Sequence, residues 1–375
     1  MTDAPSPSTL RVTSLDAIRG CACLAVAACH VSSAAPLATI EAVMGTFWVP
    51  LVRFFTNGDA AVIIFFLLSG YVLAMPFFRE EQPGYGRFLF KRICRLYIPF
   101  AIAITLAWHC FRIIDASIII PDAGPWLTEH EVGLRHFSLI GHFLVLGRTE
   151  DMNLDTPIWT LVHEMRISIL FPLLLILSRD TRKTILAALA FLLTSIGLLN
   201  FCGATDPWGP VNNFGVSLLW TLRMIPYFLV GILLCKHADA IRARIRKIPP
   251  VARWGILIAA LLGFIAPHDY LGLFSAVSYT LYAAIVIMLP FEMPGLIKIL
   301  DTFVFQWLGR ISYSIYLIHV PLLMVLFTIM WGHYSYVTMI FVFIGVLLTA
   351  ASVFYLVVEA PAMWIGRRLL VKKAA

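Results

Sequence analysis

The chain has 375 residues, of which 60% are hydrophobic and only 13% are charged. A soluble domain is roughly 25% charged, so this composition excludes an ordinary soluble fold. The net charge of +7 would suggest nucleic-acid binding in a soluble protein; here we attribute it to membrane topology and expect no nucleic-acid partner. The apolar residues form runs of about 18 to 25, long enough for helices to cross the bilayer. They do not alternate with polar residues, which excludes a β-barrel.

The apolar runs predict an all-α polytopic membrane bundle of about ten helices. In chain order these helices cover residues 15–38, 58–78, 88–111, 157–178, 183–201, 216–235, 252–267, 272–290, 304–331 and 337–358. The chain is thereby divided into an N-terminal segment, 1–14, one membrane domain, 15–361, and a C-terminal tail, 362–375. Ten crossings place both termini on one side of the membrane.

The lysines and arginines predict which side that is. Of the 28 such residues, 22 fall on the side shared by the termini. The exceptions are Arg53, Arg112, Arg135 and Arg148 on the opposite side, and Arg166 and Arg223 within predicted helices. Because cytoplasmic loops concentrate lysine and arginine, we predict that both termini are cytoplasmic.

The first predicted helix contains Arg19 and His30, two residues that are costly to place in hydrocarbon. Helix geometry puts both side chains on one face, about 16 Å apart along the axis, with the arginine nearer the cytoplasm. This arrangement favours a functional face. Two structural alternatives stay open: Arg19 reaches lipid headgroups and pairs with Asp16, and His30 forms an interhelical hydrogen bond.

The first helix also has an alternative interpretation as a cleaved signal peptide. A stretch of small residues, 32–35, follows its apolar part, as at many cleavage sites. The preceding segment is long, however, and contains Asp3 and Asp16. Removing the helix would also break the even number of crossings, so we favour a retained helix.

The third predicted helix begins with a cationic cluster that includes Arg92 and Arg95, one helical turn apart. Two guanidinium groups at this spacing can clamp a phosphate. The alternative is an ordinary cluster of cytoplasmic positive charge.

The fourth predicted helix contains Glu164 and Arg166, and the sixth contains Arg223 at a similar depth. Both helices descend from the outer side, so we predict that Glu164 and Arg223 pair at about the level of His30. Such a pair has a catalytic interpretation and a purely structural one, since buried ion pairs also hold helices in register.

The longest segment between predicted helices, residues 112–156, faces outward and is rich in histidine and acidic residues, including His130, His136 and His142. It either covers a polar site or is a solvated loop. The seven cysteines are scattered without a C-x-x-C pair. We expect them to be buried apolar residues, and we expect no bound metal.

Six short motifs follow one another along the chain. They are Leu15–Gly20 with His30, Phe65–Tyr71, Arg92-x-x-Arg95, Trp159-x-x-x-x-Glu164 running to Phe171-Pro172, Leu308–Pro321, and Glu359-x-Pro361. Together they resemble the acyltransferase 3 family of membrane O-acyltransferases. One departure is the stretch Met165–Ser168, where many relatives have Gln-Phe-Tyr.

The resemblance implies transfer of an acyl group, commonly acetyl, from cytoplasmic acyl-CoA to a hydroxyl of an exported or cell-envelope glycan, or of a small exported molecule. It places the protein in the bacterial inner membrane, with lipid around it and acyl-CoA as co-substrate rather than bound cofactor. It also implies that Arg19 and His30 are required for activity and that Arg92 and Arg95 are functional.

A mechanism consistent with these positions uses His30 as the general base toward the acceptor hydroxyl. The arginines of the first and third helices bind the phosphates of acyl-CoA, and Glu164, or less favourably Asp59, orients the imidazole. A covalent acyl-histidine is the alternative.

Two other classes of function are weighed against an acyltransferase. Intramembrane Arg, His and Glu also occur in transporters and flippases, but no repeated half is visible in this sequence. An inert scaffold would not need these motifs. Tyr316 and His319 of the ninth helix either line the same cavity or pack between helices.

Overall fold

A computed structural model describes residues 7–43, 46, 49–78, 84–113, 124, 126–127, 137–204, 213–266 and 272–368. Over these residues the protein is helical and contains no β-strand. His130 and His136 of the segment between the third and fourth predicted helices lie outside the described residues, whereas His142 lies within them.

Seventeen α-helices are described. They are α1 (Pro7–Ser33), α2 (Leu37–Val43), α3 (Val49–Phe55), α4 (Gly58–Ala74), α5 (Tyr85–Arg92), α6 (Ile98–Ile113), α7 (Leu139–Leu144), α8 (Ile158–Leu177), α9 (Thr181–Phe201), α10 (Phe214–Lys236), α11 (Ala238–Arg246), α12 (Pro250–Gly263), α13 (Leu273–Met288), α14 (Pro294–Leu300), α15 (Phe303–Met330), α16 (Tyr336–Phe354) and α17 (Ala360–Arg368).

Nine helical segments in the described part of the chain are long and apolar enough to cross a membrane. Each coincides with a predicted helix, which confirms the class of an all-α polytopic membrane bundle. The remaining prediction, 252–267, corresponds to α12, which has only 14 residues. At 1.5 Å per residue α12 is about 21 Å long, shorter than the hydrocarbon core. The chain turns at 264–266, where the prediction had continued the helix.

Two glycine contacts bring the central helices together. Gly20 of α1 and Gly309 of α15 face each other so closely that a Cβ on Gly20 would lie 2.7 Å from the Gly309 nitrogen. Gly70 of α4 and Gly231 of α10 likewise pack against the partner backbone. Small residues allow this approach between membrane helices. The consequence is that the polar face of α1 lies directly against α15.

A π-helical turn, Ile93–Tyr97, joins α5 to α6 inside the third membrane segment. A second π-helical turn, Tyr355–Glu359, joins α16 to α17 and buries Glu359, which accepts a hydrogen bond of 2.7 Å from Ser314 of α15. Such turns are rare and frequently occur at functional sites. Here the first one contains Arg95.

The segment before α8 is held by its own polar contacts. His142 lies between the carbonyl of Ser138, 2.7 Å from Nδ1, and the amide of Leu154, which donates to Nε2 at 3.3 Å. Burial lowers the pKa of His142, which fits a neutral ring in this position. Asp151 accepts a hydrogen bond of 2.9 Å from Arg148.

Asp155 ends this segment as a fully buried carboxyl group. Neither of its side-chain oxygens has a hydrogen-bond partner among the described residues. Burial raises the pKa of Asp155 well above its usual range, because desolvation disfavours the ionised carboxylate.

Candidate active site

The first of two polar cavities, called here the arginine cavity, has a volume of about 100 Å³. Its charged lining residues are Arg19 from α1, Arg92 and Arg95 from the third membrane segment, and Glu164 from α8. Three guanidinium groups thus face one carboxylate. The cavity has an excess of positive charge and is suited to an anionic ligand.

Glu164 is the centre of a hydrogen-bonded group in this cavity. Arg92 forms an ion pair with it at 2.6 Å, and the hydroxyl of Ser69 donates to it at 2.9 Å. Arg92 also donates to Ser168, one turn further along α8, at 3.1 Å. Because Glu164 and Ser168 both bind it, the Arg92 guanidinium is held in one orientation.

Arg19 and Arg95 are less restrained. Arg19 pairs with Asp16, one turn earlier in α1, at 2.5 Å. This is the pairing expected from the structural alternative, but Arg19 also lines the cavity. Among the described residues, no group forms a hydrogen bond or ion pair with the Arg95 guanidinium. Arg95 therefore has its donors available for a ligand.

The second cavity, called here the histidine cavity, is larger, with a volume of about 440 Å³. It is lined by His30 and Ser33 of α1, by Asp59 at the start of α4, and by Trp126 and Asn153 of the segment between the third and fourth predicted helices. His30 is 6% exposed, and its ring centroid lies 5.1 Å from that of Trp126. The cavity combines hydroxyl, amide and aromatic groups, a set that suits a polar ligand with an apolar face.

His30 contacts a second histidine, His319 of α15. Nε2 of His319 lies 3.3 Å from Nδ1 of His30, and the same Nδ1 lies 3.0 Å from the carbonyl oxygen of Val26. The interhelical contact that the sequence suggested as an alternative for His30 is therefore present, and it involves Nδ1 of the His30 ring.

Tyr316 lines both cavities. Its hydroxyl lies 2.5 Å from that of Thr160 and donates to the carbonyl oxygen of Pro157. Thr160 lines the arginine cavity and Pro157 lines the histidine cavity. One tyrosine and its hydrogen bonds thus lie at the junction of the two cavities.

The predicted pair of Glu164 and Arg223 is not formed. Glu164 contacts Arg92 on the third membrane segment, while fully buried Arg223 donates to Tyr227 on its own helix at 2.9 Å. Glu164 also lies in the arginine cavity and not beside His30. The sequence placed both residues by depth along their helices, but the rotation of each helix about its axis decides which neighbour a side chain meets.

Arg166 has a structural environment. It donates to the hydroxyl of Ser217 at 2.8 Å and to the carbonyl oxygen of Leu146 at 2.7 Å. These contacts tie α8 to α10 and to the segment after α7. Arg166 lines neither of the two cavities.

Some lining residues had no assigned role in the sequence. Ser168 lies four residues after Glu164, so helical periodicity would have placed it on the same face. Thr160 lies one turn before Glu164 on that face. Trp126 belongs to a segment without periodicity, and no sequence signal indicated that its ring packs against that of His30.

A helix bundle that brings an arginine cavity and a buried imidazole to opposite sides of one tyrosine has the features of a membrane-embedded group-transfer enzyme. The chain belongs to the acyltransferase 3 family, because the model of its acyltransferase domain matches residues 12–358. The protein is therefore a multi-pass membrane acyltransferase, and the transporter and scaffold alternatives are disfavoured.

The chain is also similar to a named relative. It is 26% identical over 388 aligned positions to the acyltransferase MdmB of Streptomyces mycarofaciens, with 96% of this chain and 94% of the relative covered. The similarity thus extends over the whole bundle. No solved structure matches the chain.

Proposed function

We propose that the protein transfers an acyl group, most simply acetyl, from cytoplasmic acyl-CoA to a hydroxyl of an exported or cell-envelope glycan or of a small exported molecule. The proposal rests chiefly on one observation: the arginine cavity and the histidine cavity share Tyr316. An anionic donor and a hydroxyl acceptor can thereby approach each other from two directions.

In this proposal the phosphates of acyl-CoA bind in the arginine cavity. Arg95 has free donors for them, and Arg19 contributes a second positive charge. Arg92 has a fixed orientation because Glu164 and Ser168 hold it. Glu164 is then a positioning residue for the donor site, in place of the predicted role of orienting His30.

The reaction takes place where the thioester reaches the histidine cavity. The acceptor oxygen attacks the thioester carbonyl carbon while its proton passes to Nε2 of His30. A C–O bond forms, the C–S bond breaks, and the CoA thiolate takes the proton back from the imidazolium. General-base catalysis of this kind contributes about 10² to 10⁴ in rate. In the alternative, Nε2 itself attacks the carbonyl carbon and forms an acyl-histidine.

The donor site is tested by the thermal stability of the purified protein in nanodiscs. Acetyl-CoA and CoA should raise the Tm, because a ligand that binds only the folded state stabilises it. Acetyl-pantetheine lacks the nucleotide and its phosphates and should not. No stabilisation by either CoA species would contradict the donor assignment.

The acceptor is tested by mass spectrometry of envelope glycans and of the culture medium from cells with and without the protein. An added mass of 42 Da per acetylated hydroxyl is expected from the exchange of hydrogen for acetyl. The His30→Ala variant serves as the control, since it removes the proposed base and leaves the helices in place. Identical spectra from cells with the protein and with this variant would contradict the proposed reaction.

A further inference from the structure

The contact between His30 and His319 joins two buried rings on different helices. They are 6% and 1% exposed, respectively, and their centroids are 5.1 Å apart. In a buried pair of neutral imidazoles, each ring has one N–H and one lone pair, and the surrounding acceptors determine which nitrogen carries the proton.

The proton of His319 is located by the backbone of α15. Its Nδ1 lies 2.8 Å from the carbonyl oxygen of Tyr316 and 3.1 Å from that of Ile315. Carbonyl oxygens only accept hydrogen bonds, so Nδ1 must carry the hydrogen. In the neutral ring Nε2 then carries the lone pair and accepts hydrogen bonds, and this nitrogen faces His30.

The proton of His30 is located in the same way. Its Nδ1 faces two acceptors, the carbonyl oxygen of Val26 at 3.0 Å and Nε2 of His319 at 3.3 Å. Nδ1 therefore carries the hydrogen and shares it between them. Nε2 of His30 therefore carries a lone pair and has no hydrogen-bond partner among the described residues. The ring lines the histidine cavity.

We propose that His319 is a positioning residue that holds His30 with the lone pair of Nε2 toward the acceptor and stabilises His30 once it is protonated. The inference rests on the proposed function of His30 as general base. When Nε2 takes the hydroxyl proton, the ring becomes cationic and its Nδ1–H becomes a charge-assisted donor to His319. Such hydrogen bonds are roughly twice as strong as neutral ones, so the contact strengthens as the reaction proceeds.

The kinetic test compares three variants. His319→Phe removes the acceptor and should lower kcat about 10- to 100-fold while leaving the KM for acetyl-CoA unchanged. His319→Gln restores an acceptor, and its kcat should lie several-fold above that of the phenylalanine variant. His163→Phe removes another buried histidine, which bonds Thr221, and should keep most of the activity. Equal loss in the Phe and Gln variants, or wild-type kcat in His319→Phe, would overturn the proposal.

A second measurement needs no activity. Nitrogen NMR of the histidine-labelled protein in bilayers distinguishes Nδ1–H from Nε2–H tautomers, and the His30→Gln variant identifies the His30 signals. We expect the Nδ1–H tautomer for both His30 and His319. An Nε2–H tautomer at His30 would refute the positioning role even if the protein transfers acyl groups. Conversely, the expected tautomers together with a turnover that does not depend on His30 would refute the role of His30 as general base, and with it the catalytic role of His319.

Discussion

The arginine cavity and the histidine cavity differ in the charge of their main side chains and in the groups that hold those side chains. In the arginine cavity, charged groups are held by charged and hydroxyl side chains, as Arg92 is by Glu164 and Ser168. In the histidine cavity, a neutral ring, His30, is held by a backbone carbonyl and a second imidazole, His319. A buried charge is costly unless an opposite charge pairs with it, whereas a buried neutral ring needs only a hydrogen-bond acceptor such as a carbonyl oxygen. This difference is the one expected from the proposed function, in which the first cavity binds the donor and the second carries out proton transfer.

The largest effect should come from His30→Ala in the histidine cavity. Loss of a general base lowers kcat by about 10² to 10⁴ while the affinity for acetyl-CoA stays unchanged. The measurement is CoA release by protein in nanodiscs with the identified acceptor. His163→Ala is the control for loss of a buried imidazole. If His30→Ala kept more than about a tenth of the wild-type kcat, the proposed role of His30 as the general base in the histidine cavity would be contradicted.

Substitutions in the arginine cavity should instead change the KM for acetyl-CoA. Arg95→Ala should raise the KM for acetyl-CoA about tenfold, a loss of about 1.4 kcal/mol, with little change in Tm, because no hydrogen bond or close ion pair among the described residues holds the Arg95 guanidinium. Arg92→Ala should also lower the Tm, because it leaves Glu164 without its cation. Lys91→Ala, an exposed cation on the same turn, is the matched control. An equal rise in KM for the Lys91 and Arg95 variants would indicate general surface charge, not a site.

The junction between the cavities should give a smaller effect. Tyr316→Phe removes the hydroxyl that contacts Thr160 and the Pro157 carbonyl. We expect a loss of about 1 kcal/mol in the free energy of unfolding, the typical value for one hydrogen bond. Transfer should also slow, since the ring no longer has a fixed position between donor and acceptor. Thr160→Val gives the comparison: if both variants lose stability but neither slows transfer, the junction has only a packing role.

The smallest effect concerns pH and the segment before α8. The lowered pKa of His142 means that the unfolded segment binds a proton more readily than the folded one. The stabilisation by neutral His142 is therefore present above pH about 6.5 and decreases as the pH falls below it, by at most about 1.4 kcal/mol per unit of pKa difference. Hydrogen exchange of residues 137–157 should report this loss, and His142→Gln should abolish it. A pH-independent segment would contradict the assignment.

Asp155 should act in the opposite direction within the same segment. Because its pKa is raised in the folded protein, its neutral form favours folding at low pH, and that contribution is lost as the pH rises above about 4, the usual range of an aspartate. Asp155→Asn should therefore slow hydrogen exchange of the segment at pH 7. Faster exchange in this variant would mean that Asp155 is ionised and paired.

The sequence predicted the membrane segments well because each is a local property: an apolar run of sufficient length crosses the bilayer wherever its neighbours lie. The least accurate prediction was the helix at α12. The apolar run continues past the turn, so the predicted helix extended beyond the end of α12, which has 14 residues. The spacing of Arg19 and His30 was also predictable, because α1 is one unbroken helix.

The partners of the polar side chains were decided only by the tertiary structure. Periodicity places Glu164 and Arg223 on their helices but does not determine the rotation of each helix against its neighbours. The close approach of α1 and α15 at Gly20 brings His319 to His30 across 289 residues of chain. The sequence by itself thus determined the helices, their apolar length and the residue types available for chemistry. Packing decided which of these residues meet, because side-chain contacts between helices depend on rotation and distance that no local pattern encodes.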